Sequence, residues 1–292
     1  MNTSSPVAIV GLGIMGGAIA RNLLADGVAV RGYDIDAARF EVLKTGGVAA
    51  RSAGEAAKDA GVALTSLPSI AALDATVASF IAAGLRGLVV AELSTLPMAA
   101  KEAARAKLAS AGITLLDCPL SGTGAQAITR DLAVYASGER AAYDRAEPIF
   151  KRFARASYYL GAFGNGSKMK FVANLLVAIH NVATAEAMVL GMKAGLDADT
   201  IVKVVGAGAG TSRVFELRAP LMAKDKYAPT MKIDIWQKDM SIIADFAKSL
   251  GVPTPTFDAS APIYDAAQEK GLGGDDTAAV VKVLEARAGL KR

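Results

Sequence analysis

Two groups of residues have types and spacings that can do chemistry. Lys170 and Asn174 stand four residues apart near the start of a long apolar stretch, GNGSKMKFVANLLVAIHNVATAEAMVLG, at residues 164–191. On a helix the two side chains share one side, one above the other. A primary amine and an amide so placed can pass a proton to a small polar molecule and orient it. From spacing alone, a solvated lysine at a helix start is an equal reading. The second group is Gly11-Leu12-Gly13-Ile14-Met15-Gly16, which follows the run VAIV at residues 7–10, with Asp34 at the end of the next such run. Between a strand and a helix, this pattern gives a tight turn at Gly11 and close backbone approach to a pyrophosphate at Gly13. Gly16 lets the helix pack on the strand, and the helix N-terminus faces the phosphates. The acid falls where a carboxylate meets the adenosine ribose of a bound dinucleotide.

Asp34 bears on which dinucleotide. A carboxylate accepts hydrogen bonds from both ribose hydroxyls and repels a 2′-phosphate; bonds to a charged group are worth about 1.5–3 kcal/mol, enough for tenfold selectivity. Ile35 follows where a phosphate-binding arginine would otherwise stand, so NAD is the expected cofactor. Arg31 and Arg39 lie close in sequence and keep NADP open.

The elements that position these groups follow from the alternation of short apolar runs with helical stretches. Residues 7–10, 29–33, 62–66, 88–92, 114–117, 132–136 and 157–160 read as strands. Helices are expected over 18–25, 37–45, 71–80, 99–111 and 141–155, with Ser52 and Ser69 as N-caps and Ser94 or Thr95 ahead of the helix after Pro97. That order predicts an α/β domain with a doubly wound, mostly parallel sheet of Rossmann type. After residue 166 the strands stop. Residues 197–206, 212–223, 233–250, 257–270 and 276–288 read as helices, giving a dinucleotide-binding domain over 1–163 and an all-α domain over 164–292. The long helix joins them. Apolar on every face, it is expected to be buried on every face and to pack against a second subunit.

Length and composition agree with this. A chain of 292 residues has room for two cores, and 52% hydrophobic with 21% charged residues is a globular composition. The formal charge of +4, with no lysine- or arginine-rich run, does not indicate nucleic-acid binding; acidic small molecules fit it better. The long helix carries Asn174, His180, Asn181 and Glu186, and an acid near the centre of a span costs about 2.5–3.5 kcal/mol, so it reads as a core element and not a membrane span. One cysteine, Cys118, excludes an internal disulfide. With no basic n-region or cleavage pattern at the N-terminus, a reducing, cytoplasmic compartment is expected.

Further motifs recur in order along the chain: Ala20-Arg21-Asn22-Leu23, Ser66-Leu67-Pro68, Glu92-Leu93-Ser94-Thr95 and Asp117-Cys118-Pro119-Leu120-Ser121-Gly122. Then come Gly164-Asn165-Gly166-Ser167-Lys168-Met169-Lys170 with Asn174, and Lys238-Asp239. With the glycine turn, the chain resembles the β-hydroxyacid dehydrogenase family, which includes 3-hydroxyisobutyrate dehydrogenases and tartronate semialdehyde reductases. The resemblance implies NAD(P)-dependent oxidation of the β-hydroxyl of a small carboxylate-bearing hydroxy acid, or reduction of the semialdehyde; the apolar long helix points to a homodimer or homotetramer. It implies that Leu67, Pro68 and Thr95 lie along the cofactor with Gly11, Leu12, Gly13, Ile14, Met15, Gly16 and Asp34. It further implies that Ser121, Gly122 and Thr123 meet the substrate carboxylate through a hydroxyl and backbone N–H groups. Lys170 matches the catalytic lysine and Asn174 the positioning amide. Lys238 is a lysine of the second domain that reaches cofactor and substrate, and Asp239 orients local structure. Thr123 in place of a glycine, Ala173 in place of an asparagine and Cys118 in place of an alanine depart from the family pattern.

Hydride leaves a carbinol carbon only as the hydroxyl proton is lost, so a base must lie within hydrogen-bond reach. The one histidine, His180, lies ten residues further along the helix and reads as a core residue. Lys170 serves if its pKa falls from about 10.4 to about 7–8, near 4 kcal/mol of preference for the free amine. A helix N-terminus supplies only about 0.3–1 kcal/mol, so desolvation and the positive charge of an oxidised nicotinamide must supply the rest. Two other readings are an imine reductase of this architecture, which typically lacks a lysine here, and a non-catalytic dinucleotide-binding or scaffold protein. A full-length 6-phosphogluconate dehydrogenase is excluded by the short second domain. Arg213 reads as a surface salt bridge, Lys168 as surface or phosphate-proximal, and Phe215 and Trp236 as packing.

Overall fold

In the computed structural model, which describes residues 5–292, the chain divides into two compact units, one ending at Lys170 and one running from Phe171 to Arg292. The first unit begins β1 (Val7–Val10), α1 (Ile14–Ala25) and β2 (Val30–Tyr33), followed by a 3₁₀ segment over Ala37–Leu43. Then come β3 (Val48–Ala49), α2 (Ala53–Ala57), β4 (Val62–Thr65), α3 (Ile70–Ala82), β5 (Val89–Glu92), α4 (Met98–Ser110) and β6 (Thr114–Asp117). These six strands form one parallel sheet in the order β3-β2-β1-β4-β5-β6. Strand order reverses between β1 and β4, and a crevice outside the C-terminal ends of a doubly wound sheet at that point is where ligands bind.

Both faces of the sheet are covered, which is why its central strands read as continuous apolar runs and not as alternating ones. Val7 and Ile9 face α1 with Ile19 and Leu23, whereas Ala8 and Val10 face the other side with Leu73 and Phe80 of α3. A second, three-stranded sheet completes the unit: β7 (Leu120–Ser121), β8 (Ala133–Ala136) and β9 (Ala156–Tyr159), with α5 (Gly124–Ile128) and α6 (Arg140–Phe150) between them. In it β7 pairs antiparallel with β8 and β9 parallel. The expected single sheet is thus two: residues 117–121 run on in one register antiparallel to 133–137, and the chain reverses between Ser121 and Ala133.

The helix α7 (Asn165–Lys193) begins in the first unit and continues into the second. There follow α8 (Ala198–Gly206), α9 (Arg213–Lys224), α10 (Ile233–Ser249), α11 (Pro255–Glu269), a 3₁₀ turn over Thr277–Val280, and α12 (Val281–Arg287). Buried Ile233, Trp236, Met240 and Ile243 recur at helical spacing along α10, and Trp236 packs 6.4 Å from the Tyr264 ring. On α7, Asn181 donates to Tyr264 Oη at 3.0 Å and to the Thr277 carbonyl at 2.9 Å.

Several expectations need correction. By length and composition α7 could cross a membrane, yet it is not buried on every face. Ser167, Lys170, Phe171, Asn174, Ala178, Asn181 and Ala185 form the buried stripe, while Val172, Leu176 and Leu190 on the opposite side are 57, 47 and 74% exposed. His180 is half-buried between the two and not a core residue. Ser52 and Ser69 cap as expected, accepting the Glu55 and Ala72 N–H groups. Ser94 and Thr95 do not cap α4, whose N-cap is Pro97 with no side-chain bond. Residues 124–128, outside every expected element, are the short helix α5, opened by a capping box between Thr123 and Gln126.

Candidate active site

The dinucleotide turn is built as its glycines require. Gly11 has φ +88°, and a Cβ there would lie 2.1 Å from the Ser66 carbonyl oxygen; one on Gly16 would lie 1.9 Å from the Gly11 oxygen. Both positions exclude any side chain. At Gly13 an added Cβ meets nothing within 4 Å, so the backbone is open on that side. No side chain caps α1, so the N–H groups of its first turn, at Ile14, Met15 and Gly16, are left for an anion. Leu12 is buried, and its N–H is not available to a phosphate: it donates to Asp34 Oδ2 at 2.7 Å. With the Asp36 N–H on Oδ1 at 2.9 Å, it fixes the Asp34 carboxylate at the end of β2. These residues fit a dinucleotide: an open helix N-terminus for the pyrophosphate and an oriented acid for the ribose.

The neighbouring strand ends lie against this turn. Ser66 covers Gly11 and Gly16, and the Leu67 N–H donates to Ser94 Oγ at 2.7 Å, joining the loop after β4 to the loop after β5. Leu67 is buried, Pro68 exposed and Thr95 half-buried. Ser121 ends β7, and Gly122 follows with φ +132°. The Thr123 N–H is committed to Gln126 Oε1 at 3.0 Å, inside the capping box, so the outward groups of this turn are those of Ser121 and Gly122. A Cβ on Gly124 would meet Ile14 Cγ2 at 2.4 Å, so the turn after β7 and the dinucleotide turn touch. In the same way Asn22 of α1 donates to the Ala127 carbonyl at 2.8 Å.

Lys170 is 7% exposed, one turn into α7 from Ser167. Beneath that first turn lies a buried charge cluster that sequence reading missed. Lys101 Nζ, fully buried on α4, meets Glu92 Oε2, Asp117 Oδ1 and the Ser94 carbonyl, each at 2.7 Å. Its three donors are thereby all used. Burial alone would lower the Lys101 pKa, but the Glu92 and Asp117 carboxylates outweigh it and hold the ammonium above the ordinary lysine value. Asp117 in turn accepts the Ser167 N–H on Oδ2 and the Ser167 hydroxyl on Oδ1, both at 2.7 Å. Ser137 Oγ donates to Asp117 Oδ2 at 3.2 Å and accepts the Gly166 N–H at 2.9 Å. Cys118 beside it is buried; burial and the Asp117 charge push its thiol well up and keep it protonated.

In the second unit Asn174 is 4% exposed and donates from Nδ2 to Asp239 Oδ2 at 3.0 Å, which fixes its amide. Lys238 Nζ lies 3.6 Å from Asp239 Oδ1, with about a third of its side chain exposed. Asp239 therefore orients Asn174 directly. Arg213 pairs with Glu216 at 2.9 Å, Lys168 reaches Asn165 at 3.3 Å, and Phe215 and Trp236 are buried. The site residues thus fall into two sets. The 11–16 turn, Asp34, Leu67, Pro68, Thr95, Ser121, Gly122, Thr123 and Lys170 belong to the first unit, and Asn174 and Lys238 to the second; Lys170 and Asn174 share the buried stripe of one helix.

The architecture and these residues match known proteins along nearly the whole chain. Residues 6–161 match the family described as the NAD binding domain of 6-phosphogluconate dehydrogenase. Residues 164–284 match the NAD-binding family of NADP-dependent 3-hydroxyisobutyrate dehydrogenase. L-threonate dehydrogenase of Cupriavidus necator is 35% identical over 96% of both chains. The 2-(hydroxymethyl)glutarate dehydrogenase of Eubacterium barkeri is 30% identical over 99% of this chain and 98% of its own. The crystal structure of 3-hydroxyisobutyrate dehydrogenase from Salmonella typhimurium superposes with a TM-score of 0.85 at 32% identity, covering 96% of this chain and 100% of that one. On these matches the chain belongs to the NAD(P)-binding β-hydroxyacid dehydrogenase family.

Proposed function

We propose that this protein oxidises a hydroxyl of a small hydroxy acid, or reduces the matching semialdehyde, with Lys170 as the general acid/base. The observation that carries this reading is the setting of Lys170: a buried amine on the same stripe of α7 as buried Asn174. A general base must hold its free amine within hydrogen-bond reach of the hydroxyl proton it takes, and a side chain fixed on this stripe meets the geometric half of that requirement. In the oxidising direction Lys170 Nζ takes the hydroxyl proton and Asn174, held by Asp239, orients the oxygen. Ser121 and the Gly122 N–H hold the carboxylate. When bound, the nicotinamide supplies the hydride acceptor; in the reverse direction Lys170 returns the proton. An imine reductase reading is disfavoured by Lys170 itself, and a non-catalytic role by the presence of Lys170, Asn174 and Ser121 together.

NAD is the proposed cofactor. The oriented Asp34 carboxylate at the end of β2 would repel a 2′-phosphate, and the two nearby arginines have other partners. Arg31 donates to the Lys58 carbonyl at 2.9 Å and lies 4.0 Å from Asp59, and Arg39 lies 3.3 Å from Asp36. Similarity to an L-threonate dehydrogenase puts four-carbon polyhydroxy acids first among the substrates to try. We read residues 1–163 as the cofactor domain and 164–292 as the substrate and dimerisation domain of a cytoplasmic homodimer or homotetramer. The exposed apolar side of α7, at Val172, Leu176 and Leu190, supports contact with a second copy.

The test is a panel of L-threonate, 3-hydroxyisobutyrate, glycerate, 4-hydroxybutyrate and serine, each with NAD and NADP, on wild type and Lys170→Met. Wild type should reduce NAD with at least one acid, and Lys170→Met should bind NAD normally while kcat falls by about 10³ or more, the scale of losing a general base. Full turnover in Lys170→Met would sink the assignment.

A further inference from the structure

The cluster of Glu92, Lys101 and Asp117 lies outside every residue assigned a site role above, yet it joins the segments that carry those residues. Glu92 Oε1 accepts the Ser94 N–H at 3.0 Å, and Ser94 Oγ accepts the Leu67 N–H, so the loops after β4 and β5 hang from Glu92. Asp117 is the last residue of β6 and leads through Pro119 into Ser121 and Gly122. Its carboxylate holds the Ser167 N–H, in the first turn of α7. Lys101 sits between the two acids with its three donors spent. One ammonium therefore links the cofactor loops, the substrate turn and the lysine helix.

We propose that Asp117 is the positioning residue for Lys170: seated on Lys101, it fixes the first turn of α7 and so sets the amine against the turn carrying Ser121 and Gly122. The proposal rests on the reading of Lys170 as the acid/base.

Three observations favour positioning over plain stability. A buried ion cluster is weak evidence of stability, because apolar side chains of similar volume fill such a place without desolvating charge; what the charges add is direction. The direction here is specific, since both Asp117 oxygens are aimed by Lys101 and Ser137 at a single residue, Ser167. The chain has also kept room for the contact: a Cβ on Gly166 would lie 2.2 Å from the Tyr135 carbonyl oxygen, 2.7 Å from that of Asp117 and 3.1 Å from Asp117 Oδ2. Lys170 follows Ser167 by one turn on the buried stripe, so a tilt of the first turn moves the amine with little slack. A misplacement of about 1 Å costs about 10²-fold in rate when the reacting groups must meet in near-attack geometry.

The experiment compares wild type, Lys170→Met, Asp117→Asn and Ser167→Ala with NAD and the best acid of the panel, using protiated acid and acid deuterated at the carbinol carbon. Asp117→Asn keeps the volume and removes the charge. Its kcat should fall about 10²-fold with NAD affinity unchanged, and the deuterium isotope effect on kcat should rise as hydride transfer becomes limiting. Ser167→Ala removes one hydroxyl bond to a charged acceptor; its kcat should fall about tenfold, with the same isotope signature and little change in melting temperature. A folded Asp117→Asn with wild-type kcat and isotope effect overturns the proposal. If that variant does not fold, wild-type kcat in Ser167→Ala overturns it. Full activity in Lys170→Met overturns the functional reading instead, so the two failures are distinct.

Discussion

Each unit of this protein buries an aspartate beside a buried cation at the start of a helical segment, and the two clusters use like parts to different ends. In the first unit Asp117 meets Lys101 and the first turn of α7. In the second, Asp276 meets Arg218 at 2.9 Å, accepts the Thr230 and Met231 N–H groups, and caps the Thr277–Val280 turn through the Ala278 N–H. Asp117 holds Ser167, one turn from Lys170. Asp276 holds a loop and a 3₁₀ turn, and the candidate site residue nearest in sequence to the segment it binds, Lys238, comes seven residues after Met231. The lesson is that a buried charge pair matters to chemistry according to its distance along a rigid element from the reacting group. Farther away, the same pair acts on folding alone.

The sharpest way to break that comparison is Arg218→Met. It strands the Asp276 carboxylate with neutral donors only, and removing one partner of a buried pair costs about 3–5 kcal/mol. For a domain of this size that is a fall of about 10 °C in melting temperature. Turnover of the folded fraction at low temperature should match wild type, with an unchanged isotope effect. That differs from the pattern expected for Asp117→Asn, where the rate of the folded enzyme falls as well as its stability. Thermal melts and steady-state kinetics on both variants decide it; a Arg218→Met variant that melts normally but turns over slowly would show that the second cluster also serves the site.

How much of this could be read from sequence depends on how local each feature is. The 11–16 turn and Asp34 were legible because the glycines, strand and acid lie within one βαβ unit, where Gly16 closes on the Gly11 carbonyl and the Leu12 N–H meets Asp34; the approach of Ser66 to Gly11 comes from outside it. Lys170 and Asn174 were legible as a pair because helical spacing alone puts them on one side. The cluster was not legible. Lys101 sits in MAAKEAARAKLAS among other charged residues, with nothing local to mark it as buried, and its partners Glu92, Asp117 and Ser167 are brought to it by tertiary folding. Glu92 and Asp117 do share one signal: each directly follows buried apolar residues at the C-terminal end of its strand, where a carboxylate needs a cation. The helix over 124–128 was hidden by its glycines, although T-x-x-Q is a capping-box signature. The even apolarity of α7 gave no hint of which side would be covered, since apolar residues lie on both.

The smallest effect gives the closest match between the clusters, because each has a hydroxyl bonded to its aspartate. Thr230 Oγ1 donates to Asp276 Oδ2 at 2.7 Å and accepts from Arg218 Nη1 at 2.9 Å, much as the Ser167 hydroxyl donates to Asp117 Oδ1. Thr230→Val keeps the shape and removes both bonds. Hydrogen bonds to charged groups are worth about 1.5–3 kcal/mol each, but the Thr230 and Met231 N–H groups remain on Asp276 and relaxation recovers part of the loss. The expected cost is therefore about 1–2 kcal/mol, a drop of about 2–8 °C in melting temperature. Neither kcat nor its isotope effect should move. In Ser167→Ala the balance is expected to reverse, because Asp117 keeps Lys101, Ser137 and the Ser167 N–H, so little stability is lost while the lysine helix gains freedom at its first turn. Equal losses of rate in the two hydroxyl variants would mean that distance from Lys170 does not sort the clusters, and the contrast between the units would fall with it.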